Sequence, residues 1–183
     1  MQLTIDGRDW DRQTEKMAQI LGGVRSRAFE RAANRAVRKA ARWLRTQLAR
    51  AVAQDAGIPV TRFRQMRVSL RYDREDWSAN LWLGLNPIPA HRTGKVKWTR
   101  RMRGARAGRR QFRGSFAWGP NPDKPVIFRR QGQARTPIEK VTVPVDEAAE
   151  EHARRLERRA LQRFQTVLRQ ELNYEMAKRF REV

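Results

Sequence analysis

Hydrophobic and polar positions repeat with two different periods along this chain. Leu3-Thr4-Ile5 alternates and closes on Asp6-Gly7, which predicts a short strand ending in a turn. From about Arg12 to Asp55 the apolar positions Met17, Ile20, Leu21, Val24, Ala28, Ala32, Ala36, Ala40, Leu44, Leu48 and Val52 recur every three or four residues, the spacing of one helix face. Gly22-Gly23 divides this stretch into a short helix and a long one. Ala and Arg both favour the helix, and the narrow Ala stripe lets another backbone come close. Ala32, Ala36, Ala40, Leu44 and Leu48 are therefore the expected seam for helix packing or for contact with a second subunit, with Trp43 and Leu44 as anchors. Gly57 and Pro59 stop the helix, and Val60 to Met66 allow one or two further turns.

Between about Arg67 and Val143 the pattern turns strand-like. Val68, Leu70 and Tyr72 alternate with Arg and Ser, and Trp77, Ala79, Leu81, Leu83 and Leu85 alternate likewise beyond Asp73-Arg74-Glu75-Asp76, so the two runs read as an antiparallel hairpin. Val126-Ile127-Phe128 and Val141-Thr142-Val143 are further candidate strands, giving three or four in all. After Pro144, Asp146 is a candidate N-cap, with Glu147, Glu150 and Glu151 complementing the helix dipole. Ala149, Ala153, Leu156, Ala160, Phe164, Val167, Leu168, Leu172 and Met176 then trace one apolar stripe. The expected fold is α+β: long N-terminal and C-terminal helices packed on a small antiparallel sheet, with a long basic loop, in a single domain spanning residues 1–183.

Charge changes this picture most. The chain has 183 residues, 41 Lys and Arg against 19 Asp and Glu, and a net charge of +22. Such an excess weakens the compact state by self-repulsion and attracts polyanions or acidic partners. Ten of the cations fall between residues 92 and 113 with no acid among them: Arg92, Lys95, Lys97, Arg100, Arg101, Arg103, Arg106, Arg109, Arg110 and Arg113. With three Gly and no evident hydrophobic period, this window is expected to be a mobile loop or arm. Its cations neutralise phosphates without reading sequence, and Trp98 and Phe112 offer stacking faces; an arm onto a neighbouring subunit and a solvated charge run remain open. Arg25, Arg27, Arg31, Arg35, Arg38, Lys39, Arg42 and Arg45 read as a solvated helix face, some of them pairing with acids of the terminal helix. A helix-turn-helix in AGIPVTRFRQMRVSLR is disfavoured, because its second helix has barely two turns before a strand begins.

Catalytic chemistry finds little footing. There is no cysteine, hence no disulfide, thiolate nucleophile or Cys-based metal site. His91 and His152 lack metal-site spacing, and no Walker loop, GxGxxG or GxSxG occurs. The expectation is a non-enzyme with no cofactor and no metal. Nor is there a basic-then-apolar leader or a run of apolar residues long enough to span a membrane, so the chain is expected to be soluble.

The order of parts then becomes recognisable: an Ala/Arg-rich helix, GIPVTRFR, a strand ending in NPIPAHR, the basic stretch, GSFAWGPN, VIFRRQG, RTPIEKVTVP and a long terminal helix. Over roughly residues 24–180 the chain resembles the minor tail protein Z family of tailed phages and prophages, which is similar in layout to tail-completion and neck proteins. The resemblance implies a structural virion protein, assembled in the host cytoplasm, at the head-proximal end of the tail. It implies a homo-oligomeric ring, sixfold favoured, around the DNA channel, with other tail or neck proteins as neighbours. A free, sequence-nonspecific nucleic-acid-binding protein is the alternative reading of the basic window.

Overall fold

The change of period after the first residues is a change of structure at Asp11. The computed structural model describes residues 1–183 apart from Trp10, Arg25, Arg100, Arg101, Met102, Pro122, Lys124, Glu182 and Val183. Strand β1 (Gln2–Asp6) is followed by helix α1 (Arg12–Ile20), whose N-cap Asp11 accepts hydrogen bonds from the Thr14 backbone N–H and hydroxyl, both at 3.0 Å. At the far end Gly23 N–H donates to Ala18 O and Gly22 N–H to Gln19 O, the paired bonds of a Schellman ending. Ile20, placed on the apolar stripe by spacing, is instead 55% exposed.

Beyond these lie α2 (Arg27–Asp55), α3 (Val60–Arg67), β2 (Val68–Asp73), β3 (Ser78–Leu83) and β4 (Ile88–Pro89). A short 3-10 turn (Ala90–Arg92) leads to β5 (Val96–Thr99), β6 (Gly104–Ala107), β7 (Arg110–Arg113) and β8 (Ser115–Trp118). The chain then forms β9 (Val126–Arg130), β10 (Ile138–Lys140), β11 (Thr142–Val143) and α4 (Asp146–Arg181). The fold class is α+β. The strands are more numerous and shorter than their apolar runs suggest. Among the described residues they form four small antiparallel sheets, β1-β3-β2, β10-β9-β8, β11-β4 and β5-β6-β7. Two compact units result, one of Met1–Leu48, Val68–Leu83 and His152–Val183, the other of Ala49–Arg67 and Gly84–Glu151.

In the first unit, sheet alternation is clean. Leu3 pairs with Leu81 and Leu81 with Leu70, while Ile5, Ala79 and Tyr72 align two positions further on, so these side chains share one face. Helix α2 meets that sheet through Phe29, which is edge-on to Trp77 at 5.6 Å, and Arg38, whose guanidinium lies 5.6 Å from the Tyr72 ring centre. Leu3 and Ile5 of β1, Leu44 of α2, and Ala160 and Leu161 of α4 border one cleft. Two long helices on a small sheet thus describe this unit. Ala32, Ala36, Ala40, Leu44 and Leu48 are all at most 2% exposed, and Ala33, Val37 and Ala41 are equally buried beside them. The seam therefore belongs to the interior of the subunit; the alternative of a face offered to a second copy is corrected.

The paired-charge expectation for α2 also takes concrete form here. Glu171 and Glu175 on α4 are nearly buried and receive Lys39, Arg35 and Arg31: Lys39 Nζ to Glu171 at 2.5 Å, Arg35 to both carboxylates at 2.5 Å, and Arg31 to Glu175 at 2.8 Å. Arg169 on α4 pairs with Asp11. Burial pushes the Glu171 and Glu175 carboxyls up, but hydrogen bonds and charge from these cations outweigh it and hold both below the usual range. Arg25, named with the same helix face, lies outside the described residues.

In the second unit Asp146 is not the cap of α4. Ala149 N–H donates to Val145 O, so helical bonding starts one residue earlier and Asp146 lies within the first turn, where it acts through the dipole. The larger correction concerns residues 92–113: those at 96–99, 104–107 and 110–113 pair as a three-stranded antiparallel sheet, where a loop or arm is expected. The physical reason lies in the strand register, which gives these residues one face to bury.

Candidate functional site

The meander β5-β6-β7 pairs Val96 with Ala107 and Ala107 with Arg110, and Trp98 with Ala105 and Ala105 with Phe112. Those residues share one face, on which Ala105, Ala107 and Phe112 are buried. The opposite face aligns Lys97 with Arg106 and Arg106 with Gln111, and Thr99 with Gly104 and Gly104 with Arg113. Lys97, Arg106, Gln111 and Arg113 are all exposed. The window is therefore amphipathic with period two, and its inward apolar residues come at most two to a strand, with Arg110 among them. Ordering is possible because each strand has partners for its backbone groups and one face to bury.

Local features fix this sheet. β6 and β7 are joined by Gly108-Arg109 alone, with Gly108 at φ +59°, the positive φ that a two-residue hairpin needs at its first central position. The buried Ser115 hydroxyl donates to Phe112 O at 2.5 Å and accepts the Ala105 N–H at 3.1 Å, tying the sheet to β8. Arg106 Nε donates to Gly108 O at 2.8 Å, which holds one outward guanidinium stem in place.

The expected contact residues separate into groups. Lys97, Arg106 and Arg113 stand together on the outward face. Lys95 precedes β5 and, with Arg92, Arg62 and His91, borders a cleft that also includes Asp123. Arg103 is exposed at φ +44° immediately before β6, and Arg109 sits at the hairpin tip beside Arg50 and Gln54. Trp98 lies on the face opposite Lys97 and is 56% exposed. Arg110 is turned inward: its Nη2 donates to Asp55 O at 3.1 Å, among the last carbonyls of α2, where positive charge suits the dipole. Its stem also fills the space beside Gly57, which at φ +64° ends α2. Arg110 is thus a structural residue, not one of the outward contacts. Arg110→Ala should cost about 1 kcal/mol of stability in a denaturant titration and leave duplex-DNA affinity unchanged; a clear loss of affinity would return it to the contact set. Arg100 and Arg101 lie outside the described residues.

His91 has its pKa lowered, first by burial and then by the charges of Arg92 and Lys140, so its ring is neutral at neutral pH. Among the described residues no cluster of His, Asp and Glu is arranged to hold a metal ion. No helix of the described chain is long and apolar enough to cross a membrane.

Sequence reasoning passed over a second surface, the exposed aromatic face of β8, β9 and β10. Its signal was legible as Phe116 and Trp118 two apart, with Phe128 opposite Phe116 in the pairing. The reading of Val126-Ile127-Phe128 as a strand identified the element without asking which of its faces is open.

Comparison with known proteins bears on the whole chain at once. No curated protein and no solved structure matches it. The family described as prophage minor tail protein Z matches residues 14–182, ten residues further toward the N-terminus than the motif order by itself reaches. With nearly the full chain covered, the protein belongs to the prophage minor tail protein Z family and is a structural protein of the phage tail.

Proposed function

We propose that this tail protein acts at the head-proximal end of the tail as a completion or neck component, assembling as a ring, sixfold favoured, around the DNA channel and supporting head-tail joining. In this reading the protein is a non-enzyme and its immediate neighbours are other tail or neck proteins. The outward face of β5-β6-β7 turns toward the passing duplex.

The observation that carries this reading is the alignment of Lys97, Arg106 and Arg113 with Gln111 on one open sheet face. Adjacent strands lie about 4.8 Å apart and alternate residues about 6.8 Å apart along a strand, a spacing that lets several cations meet successive phosphates. None of these residues is presented as a helix or ribbon entering a groove, so the contact is with the backbone and indifferent to sequence. A channel lining requires that: it holds DNA during assembly and still lets it leave.

Two measurements test the proposal. Replacing Lys97, Arg106 and Arg113 by Ser should reduce the slope of log affinity against log salt for duplex DNA by about 2–3, since each lost phosphate contact removes about 0.9. An unchanged slope would remove this face from the DNA contact. Purified protein added to tails that lack it should restore their joining to filled heads. A stable monomer that binds duplex tightly and ignores tails would favour the free nucleic-acid-binding alternative instead.

A further inference from the structure

We propose that the open face of the β8-β9-β10 sheet is the seat for a second copy of this chain, which docks there the acidic start of its α4. The proposal rests on the reading of the protein as a self-assembling tail component, and names the surfaces that would join.

The register puts Phe116, Phe128 and Lys140 side by side, Trp118 opposite Val126, and Arg130 opposite Ile138, all on one face. Phe116 and Phe128 stack at 6.1 Å, Trp118 meets Phe128 edge-on at 6.2 Å, and the Arg130 guanidinium lies 5.9 Å from the Phe116 centre. Yet Trp118 is 64% and Ile138 42% exposed. The sheet's other face is covered at Ser115, Ile127 and Val141, and turns only the charged Arg129 and Glu139 to water. An antiparallel sheet with one wet face normally turns polar residues to water, as β5-β6-β7 does in this same chain. Here the wet face is aromatic and cationic, the composition of an interface centre.

Charge identifies the occupant. At +22 two copies repel each other, so self-association requires a local meeting of opposite signs. Residues 141–153 contain Asp146, Glu147, Glu150 and Glu151 and no Lys or Arg. Asp146 and Glu147 are exposed in the first turn of α4, next to exposed Pro144. An acidic helix start bordered by apolar residues complements a face of Trp118, Phe116 and Ile138 edged by Arg130 and Lys140. Because the two partners are different surfaces of the subunit, the contact can repeat head-to-tail from copy to copy, and such a chain closes into a ring when the rotation permits.

Two charge-reversed proteins test this. One carries Arg130→Glu with Lys140→Glu, the other Asp146→Lys with Glu147→Lys, and circular dichroism checks that both fold. In sedimentation velocity the native protein should assemble, each variant alone should associate at least tenfold more weakly, and an equimolar mixture should recover assembly, since each reversed surface meets a complementary one. Trp118→Ser, at an exposed position, should also weaken assembly by about tenfold even if a charge variant misfolds. Variants that assemble like the native protein would overturn this docking surface and leave the ring reading standing. A native protein that neither self-associates nor joins tails would overturn both. Loss of single-stranded DNA binding in Trp118→Ser with assembly unchanged would reassign the face to nucleic acid and overturn the proposal.

Discussion

Ala36→Arg should abolish the native fold, and Ala40→Arg should do the same. Both alanines are fully buried on α2, so an arginine there must either bury an unpaired charge or force the surrounding elements apart. Either route costs more than about 4 kcal/mol, a large part of the 5–15 kcal/mol that holds a typical domain together. A thermal melt followed by circular dichroism should show no cooperative transition, whereas Arg42→Ala on the exposed side of the same helix should stay within about 0.5 kcal/mol of the native protein. A cooperative melt with native midpoint in Ala36→Arg would mean that the stripe faces solvent.

The second large effect concerns the ion cluster between α2 and α4. Replacing Glu171 and Glu175 together by Gln removes both anions that receive Arg31, Arg35 and Lys39, three cations at successive i, i+4 positions. The cations are partly exposed and recover some hydration, so the expected cost at pH 6 is about 2–4 kcal/mol rather than that of a fully buried pair. The pH dependence follows from the direction of the shifts. Both carboxyls sit below their unfolded values, so below about pH 4.5 the unfolded chain takes up protons more readily and stability falls with pH. Asp11, held down to about 2 by the Thr14 N–H and Arg169, loses its contribution over a window reaching lower still. Melting temperatures between pH 6 and pH 3 should therefore drop more steeply for the native protein than for the double Gln variant. Parallel curves would show that the cluster does not govern acid stability.

The helices were readable because they repeat one signal many times. The stripe through Ala32, Ala36, Ala40, Leu44 and Leu48, and its counterpart through Phe164, Leu168 and Leu172, sustain the helical period over many turns, and all eight residues are buried. The β2-β3 hairpin was readable for the same reason at period two. The meander was not, because its inward apolar positions Val96, Trp98, Ala105, Ala107 and Phe112 are divided among three four-residue strands and share their face with Arg110, while Lys97, Arg106 and Arg113 stand between them in sequence. Averaged over the window, such a pattern looks like a charged loop. Arg110 shows the same limit at one residue: nothing in RAGRRQFR distinguishes the arginine that faces inward to Asp55 O from those that face water.

By itself, then, the sequence determined the α+β class, the two long helices, the absence of thiol chemistry, the excess of positive charge and the family. These properties depend on composition, order and local period, each of which is a sum over many residues. Only the tertiary structure decided which face each cation occupies: Arg31, Arg35 and Lys39 against Glu171 and Glu175, Arg110 against a helix end, and Lys97, Arg106 and Arg113 exposed on one sheet face. It likewise left Trp118 in water while burying Ile127 on the other side of the same sheet. The reason is physical. A strand's period fixes which residues share a face, but which face is covered depends on elements distant in the chain, and the local pattern carries no record of them.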